Sequence, residues 1–343
     1  MSFTRKKKKE PALDYAAEVK KLKAEGPARL YLLWGEEEYL RDSFLGEIRD
    51  ICFPDGDNDF QHRVFDTPEI NPEDLRNAID TLPFFSERSL IELRGPDFRK
   101  GGDLPDVLKD IPDYCTVVFL PGQGEEPNGT LKLTRFLRSS GSEIRFTAQD
   151  QTRLTRWIAR RFAYYGKGIE IEAAQRLLFL SGDRMKGLIP EIEKIAAYAK
   201  GERVTVQDVN AVANRIPEAS VFAMTDAIAG RQFNTAAGIL AELLGQKDFS
   251  APAILSLLSN QFRRLYYAKF VRDSATLGKL CGLKYDSLVR QLMRTASSFR
   301  EEQLAHALRI CADADYRFKS ETVNEAALLK ETLMRITLEA VDE

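Results

Sequence analysis

Two histidines, His62 and His306, and four cysteines, Cys52, Cys115, Cys281 and Cys311, are the only imidazole and thiol groups in 343 residues. They lie far apart and form no Cys-x-x-Cys pair, so neither a zinc site nor a disulfide framework is expected. General acid or base catalysis by histidine has almost no candidates. Cys115 sits in the apolar run Cys115-Thr116-Val117-Val118-Phe119-Leu120 and reads as a small buried hydrophobe. His306, between Leu304 and Leu308 on a helical pattern, reads as structural. No catalytic residue and no metal ligand are nominated.

Phosphate chemistry would require glycines that let backbone N–H groups approach the ligand, a lysine for charge and a Ser or Thr for magnesium. After the first apolar run the chain reads Leu30-Tyr31-Leu32-Leu33-Trp34-Gly35-Glu36-Glu37-Glu38-Tyr39-Leu40, with one glycine and three carboxylates. Like charges ~4 Å apart repel by about 1 kcal/mol even in bulk water, so a triphosphate is disfavoured there. The three glutamates read instead as the acidic complement of a helix N-terminus. Gly166-Lys167-Gly168 and Gly278-Lys279-Leu280 each carry a Gly-Lys pair without the Ser or Thr or the preceding spacing. No cofactor of the chain's own is expected.

Protein-binding chemistry has a sharper candidate. Asn71 is a good N-cap, Pro72 suits the first helical position, and Glu73 with Asp74 complements the dipole. The helix expected over 71–82 carries Leu75, Ala78, Ile79 and Leu82 as a stripe facing the core. Pro83 should end it, and Phe84-Phe85 and Ser86-Glu87-Arg88 follow. Adjacent side chains on an extended segment point in different directions, so at least one phenylalanine is a candidate exposed anchor. The alternative is that both tuck under the strand that begins at Ser89. Farther on, 261–272 interleaves aromatics with positive charge, as nucleic-acid surfaces do. A buried aromatic stripe with a solvated basic face is the expected account of it.

The elements that hold these residues follow from periodicity. Short apolar runs at 30–34, 63–65, 89–93, 115–120 and 143–146 alternate with helical patterns, the signature of a wound α/β sheet. Past about residue 148 strand signals stop. Helices are expected over 152–165, 171–180, 185–200 and 205–213, the last with Thr205 and Asp208 as a variant capping box. From residue 220 the chain reads as helical throughout, over 221–229, 235–244, 252–272, 285–295, 301–318 and 323–340. In the last of these Ala326, Leu329, Leu333 and Ile336 make a stripe, read as core in preference to a subunit interface. The expected domains are 1–148, 149–214 and 215–343.

Composition bounds the function. Hydrophobic residues make up 44% and charged residues 30%, enough for two or three real cores. Fifty Lys and Arg against 52 Asp and Glu give a net charge of -2, so any contact with DNA needs a local patch. No window approaches the roughly 18 uninterrupted apolar residues of a membrane span. The N-terminus is Lys-rich without a signal peptide's apolar stretch, and its residues 5–9 read as a solvated tail. A cytoplasmic protein with no membrane partner is expected.

At these residues the chain resembles a known family, the delta subunit of the bacterial DNA polymerase III clamp loader. The resemblance is carried by Leu32-Leu33-Trp34-Gly35-Glu36-Glu37-Glu38-Tyr39-Leu40, by Thr81-Leu82-Pro83-Phe84-Phe85-Ser86-Glu87-Arg88, and by Leu104-Pro105 with Pro112-Asp113-Tyr114-Cys115-Thr116-Val117-Val118-Phe119-Leu120. Trp157-Ile158, Glu191-Ile192-Glu193-Lys194-Ile195 and Ser220-Val221-Phe222-Ala223-Met224-Thr225-Asp226-Ala227-Ile228 extend it. One departure is Pro190, where the pattern calls for a polar residue such as Asn.

The resemblance implies an α/β AAA+-like N-terminal domain without a phosphate loop, followed by two all-α domains, a lid-like one and a C-terminal collar. It implies that the chain binds the sliding clamp and holds the ring open at one interface while partner subunits hydrolyse ATP. The clamp-binding segment falls on Leu82, Pro83, Phe84 and Phe85. The implied partners are the clamp, the delta-prime and tau/gamma subunits through the collar, and primed DNA. No catalytic site of its own is implied, polymerase activity belonging to the whole complex. Two other readings are an active AAA+ ATPase, against which Glu36 to Glu38 argue, and a nucleic-acid-binding adaptor that works without a clamp, which a steep salt dependence of DNA binding would favour.

Overall fold

The structure is a computed structural model that describes residues 13–56, 61–84, 86–122, 124–246 and 249–339. Phe85 and the Lys-rich stretch 5–9 lie outside the described residues. In chain order the first elements are α1 (Tyr15–Glu25), β1 (Leu30–Gly35), α2 (Glu38–Cys52), β2 (His62–Asp66), α3 (Pro72–Asp80), β3 (Ser89–Arg94), α4 (Leu104–Val107), β4 (Cys115–Leu120), α5 (Lys132–Ser140) and β5 (Ser142–Phe146). There follow α6 (Gln151–Tyr164), β6 (Gly168–Ile169), α7 (Ile171–Ser181), α8 (Met185–Tyr198), β7 (Arg203–Val204) and α9 (Val206–Val212). The rest is α10 (Pro217–Ala229), α11 (Phe233–Leu244), α12 (Ala251–Phe270), α13 (Ser274–Cys281), α14 (Asp286–Ser297), α15 (Glu301–Ser320) and α16 (Glu325–Glu339).

The five expected apolar runs are the five strands of one parallel sheet, ordered β2-β3-β4-β1-β5. A parallel sheet needs crossover helices on its faces, so its inner strands are apolar on both sides. Every residue of β4 is buried accordingly. Side chains alternate across the sheet. Leu32, Trp34, Ile91, Leu93, Val117 and Phe119 pack with α3, α4 and α5 into one core. On the other face Phe44 of α2 meets the rings of Tyr31 and Phe146. Cys115 is fully buried within the strand, and burial pushes its thiol up to about 11. Among the described residues no helix is long and apolar enough to cross a membrane.

The described chain forms two compact units. One runs to Ile158 and also takes in Asp183–Ile189; the other comprises Ala159–Gly182 and the chain from Pro190 onward. The stretch 149–214 therefore contributes to both. In the second unit the core joins α10 to α16, with Leu329, Leu333 and Ile336 of the last helix buried in it. Phe262 and Leu265 of α12 are buried as expected of the 261–272 stripe, whereas Phe270 is 55% exposed. The Thr205–Asp208 capping box forms. Pro190 sits inside α8 and does not divide it.

Several elements were not legible as helices. Helix α1 buries only Leu22 and so shows no stripe. Helix α5 has two turns after a Pro- and Gly-rich stretch, and α13 is eight residues with Gly278 inside it and Gly282 directly after it.

Glu92 is the exception on the α2 face of the sheet: a carboxylate with no exposure. It accepts from Arg49 Nη2 at 2.7 Å, lies 2.8 Å from His62 Nε2, and accepts from Arg94 Nη2 and Nε at 2.6 and 3.0 Å. Burial alone would raise its pKa, but the hydrogen bonds from His62, Arg49 and Arg94 outweigh it and hold the group down at about 2, against 4.5 normally. A carboxyl whose folded pKa is depressed contributes stability above its unfolded pKa and loses it as pH falls toward the folded one. A shift of that size corresponds to roughly 3 kcal/mol. Glu92→Gln should therefore lower the unfolding free energy by about 3 kcal/mol at pH 7. The gap to the parent, measured by urea unfolding, should close as the pH falls from about 4.5 toward about 2.

Candidate functional site

Helix α3 starts as the sequence requires: Asn71 Oδ1 accepts from the Glu73 N–H at 2.9 Å, with Pro72 in the first turn. Its inward face buries Leu75, Ala78 and Ile79. The helix stops at Asp80, two residues earlier than expected, and Thr81 is already extended. The Thr81 hydroxyl donates to the Asn77 carbonyl at 2.6 Å, and the residue before Pro83 is steered away from helical geometry.

This early stop changes the fate of Leu82. It does not continue the buried stripe but stands 69% exposed, and Phe84 is 87% exposed. Pro83 between them is half-buried. Two large apolar side chains thus leave a short turn toward solvent, a costly arrangement unless something covers them. Of the two open readings of the Phe84-Phe85 pair, Phe84 follows the exposed one.

The base of this corner is fixed while the side chains at its tip are exposed. The Ser86 hydroxyl lies in hydrogen-bonding reach of both the buried Gln61 side chain and the Arg88 carbonyl. The Leu90 N–H donates to the Gln61 carbonyl at 2.9 Å, and the Ser89 N–H to that of Tyr114 at 2.8 Å. Gln61 and Ser86 tie the corner to the start of β2 and to β3. Sequence reasoning missed these tethers, because a polar pair 25 residues apart leaves no local pattern.

The turn between β1 and α2 is the second place where the sequence located chemistry, and the structure fills it from within. A Cβ on Gly35 would lie 2.3 Å from the Phe146 carbonyl oxygen, so this glycine serves the close approach of β5. Glu37 is 1% exposed, its carboxylate lies near the backbone N–H groups of Met185 and Tyr39, and its Oε2 is buried without a hydrogen-bond partner. Burial pushes its carboxyl above the usual carboxylate range. Arg184 donates to the Glu36 carbonyl at 2.8 Å, and Lys186 Nζ lies 3.2 Å from Glu38 Oε2. These two cations come from a segment about 150 residues on, a separation that leaves no local pattern to read. The glutamates thus do more than complement a helix end: two hold cations and one is buried.

Comparison with known proteins places these features in a family. The family described as "DNA polymerase III, delta subunit" matches residues 31–146, and "DNA polymerase III delta subunit, C-terminal domain" matches 218–336. The DNA polymerase III subunit delta of Bacillus subtilis (strain 168) is 25% identical over 321 residues, covering 90% of this chain and 92% of that protein. A probable DNA polymerase III subunit delta of Aquifex aeolicus (strain VF5) is 23% identical over 258 residues, 71% of this chain and 72% of that one. A solved Bacillus subtilis DNA clamp loader delta protein superposes with a TM-score of 0.51 at 24% identity, over 94% of this chain and 99% of the other. That likeness shows the fold, a parallel α/β part followed by helices, as expected from the sequence.

Two outcomes follow from the geometry. Leu82→Ala and Phe84→Ala should each change the unfolding free energy by less than about 0.5 kcal/mol, as exposed positions do. Leu75→Ala, inside α3, should cost about 2 to 5 kcal/mol, all three variants being compared by urea unfolding. A titration with labelled ATP and magnesium should give no saturable binding, since the turn is occupied by paired and buried carboxylates.

Proposed function

Since the chain belongs to the DNA polymerase III delta-subunit family, we propose that it binds the ring-shaped sliding clamp through Leu82, Pro83, Phe84 and Phe85 and favours the open ring. The observation that carries this reading is the exposure of Leu82 and Phe84 on a turn with a tethered base. In this reading the chain works in the cytoplasm beside delta-prime and tau/gamma subunits, which supply ATP hydrolysis while the assembly acts at primed DNA. The division of its helical part into a lid-like domain and a collar that meets those subunits belongs to the same proposal.

A ligand shifts an equilibrium only by its differential affinity for the two states, so the chain need not pull the ring apart. It must fit the open form better. Moving a ring from about 1% to about 99% open takes ~5.5 kcal/mol of preference. Aromatic anchors in apolar pockets contribute about 2 to 4 kcal/mol each, so two of them with a rim supply that preference where the pockets they fill are formed only in the open ring. A fixed base matters here, because every rotamer and loop state frozen on binding subtracts from that sum.

Co-elution with the clamp of its own organism provides the test. The double variant Phe84→Ala, Phe85→Ala should fold like the parent and lose roughly 30- to 1000-fold in clamp affinity. Parent-like binding by a folded double variant would assign the contact to other residues.

A further inference from the structure

Although the chain is net acidic, residues 151–169 hold Arg153, Arg156, Arg160, Arg161 and Lys167 and no Asp or Glu. Those of this run that belong to the second compact unit, 159–169, lie at the end of α6 and the turn beyond it. There Tyr164 is 78% exposed. The Arg161 guanidinium stacks over its ring at 5.7 Å, and Tyr165 packs edge-on at 5.2 Å. Arg160 sits one helical turn before Tyr164 on the exposed side.

This end of the helix is held firmly. The Lys167 N–H donates to the Phe162 carbonyl at 3.0 Å and the Gly166 N–H to that of Ala163 at 2.9 Å, with Gly166 at φ +69°. That is the Schellman closure of a helix, which a left-handed glycine permits. Lys167 Nζ then donates to the carbonyls of Ala199 and Gly201 at 2.7 and 2.9 Å. It thereby joins the turn to the end of α8, where Tyr198 is 54% exposed and Lys200 is exposed. Pairing of Gly168 with Arg203 brings a further exposed arginine alongside. Among the described residues none of Arg160, Arg161, Lys200 and Arg203 forms an ion pair, although Glu202 lies in the same turn.

We propose that this surface binds single-stranded nucleic acid, with bases stacking on Tyr164 and Tyr198 and phosphates meeting Arg160, Arg161, Lys200 and Arg203. Uncompensated cations call for a polyanion. The exposed rings decide which kind: a single strand offers base faces to stack on, whereas a duplex hides them and an acidic peptide has none. The proposal rests on the preceding reading only in setting the chain at primed DNA, where single-stranded template is at hand. It assigns a surface remote in sequence from the 82–85 corner.

The test uses the full chain alone, with fluorescently labelled oligothymidylate, and reads anisotropy over a range of salt concentrations without any clamp. Binding should weaken linearly with log salt. Tyr164→Ala should weaken it about 5- to 150-fold while Tyr164→Phe, which keeps the ring, stays close to the parent. Arg160→Glu with Lys200→Glu should weaken binding and flatten the salt slope. A duplex of equal length should bind more weakly. The proposal fails if oligothymidylate does not bind at low salt, if Tyr164→Ala and Arg160→Glu bind like the parent, or if duplex or polyglutamate binds as tightly. Because no clamp is present, such a failure leaves the clamp reading untouched, and loss of clamp binding in the Phe84 and Phe85 variant leaves this one untouched.

Discussion

A carboxylate taken wholly out of water stays charged only when several donors compensate it, and Glu92 has three such neighbours on three different elements. Arg49 reaches it from α2, His62 from the edge strand β2, and Arg94 from its own strand. Strand β2 has no fully buried residue, so apolar packing alone holds it weakly. What registers it is the ladder to β3 and this charged knot beneath α2. Gln61 immediately precedes β2, and Gln61 is the tether of Ser86. The exposed side chains of Leu82 and Phe84 therefore inherit their position from a buried charge some ten residues away in sequence. A corner made this way is pre-organised by the sheet and not by its own packing.

The β1–α2 turn follows the opposite logic. In an open parallel α/β sheet, the carboxyl end of a strand is a natural ligand crevice. Here the crevice is spent on internal pairing: Glu36 and Glu38 face Arg184 and Lys186, while Glu37 is buried against the backbone of Met185. The turn has become a joint that fastens the start of α8 to the sheet domain. An acidic turn and a basic partner segment thus do structurally what glycines and a lysine would do chemically.

Much of this was legible in the sequence, for physical reasons that can be named. Strands β1 and β4 were visible because inner strands of a sheet covered on both faces demand near-continuous apolar runs, β2, β3 and β5 were visible as shorter apolar stretches between helical patterns, and the start of α3 was visible because Asn71, Pro72, Glu73 and Asp74 are local signals. Short or stripe-free helices such as α1, α5 and α13 carry no such signal. Leu82 was misread as core because periodicity continues past the point where Thr81 and Pro83 end the helix. Of the corner residues, Leu82, Pro83 and Phe84 can be described, and they lie together on one turn. Glu92 was invisible: a Glu inside Ser89-Leu90-Ile91-Glu92-Leu93 looks like the polar beat of a half-exposed strand. Its meaning appears only when Arg49 and His62 are folded against it.

Strand order has a further consequence for how the chain is made. Strand β1 lies between β4 and β5, so Leu30 pairs with Val117 and Gly35 with Phe146. The ribosome delivers Leu30-Tyr31-Leu32-Leu33-Trp34 first, and at roughly 5 to 20 residues per second its two neighbours emerge several seconds later. Throughout that interval one of the most apolar pentapeptides of the protein has no strand beside it. Biosynthesis of this chain therefore passes through a nascent state in which that apolar stretch waits for both of its neighbours until translation has moved past Phe146.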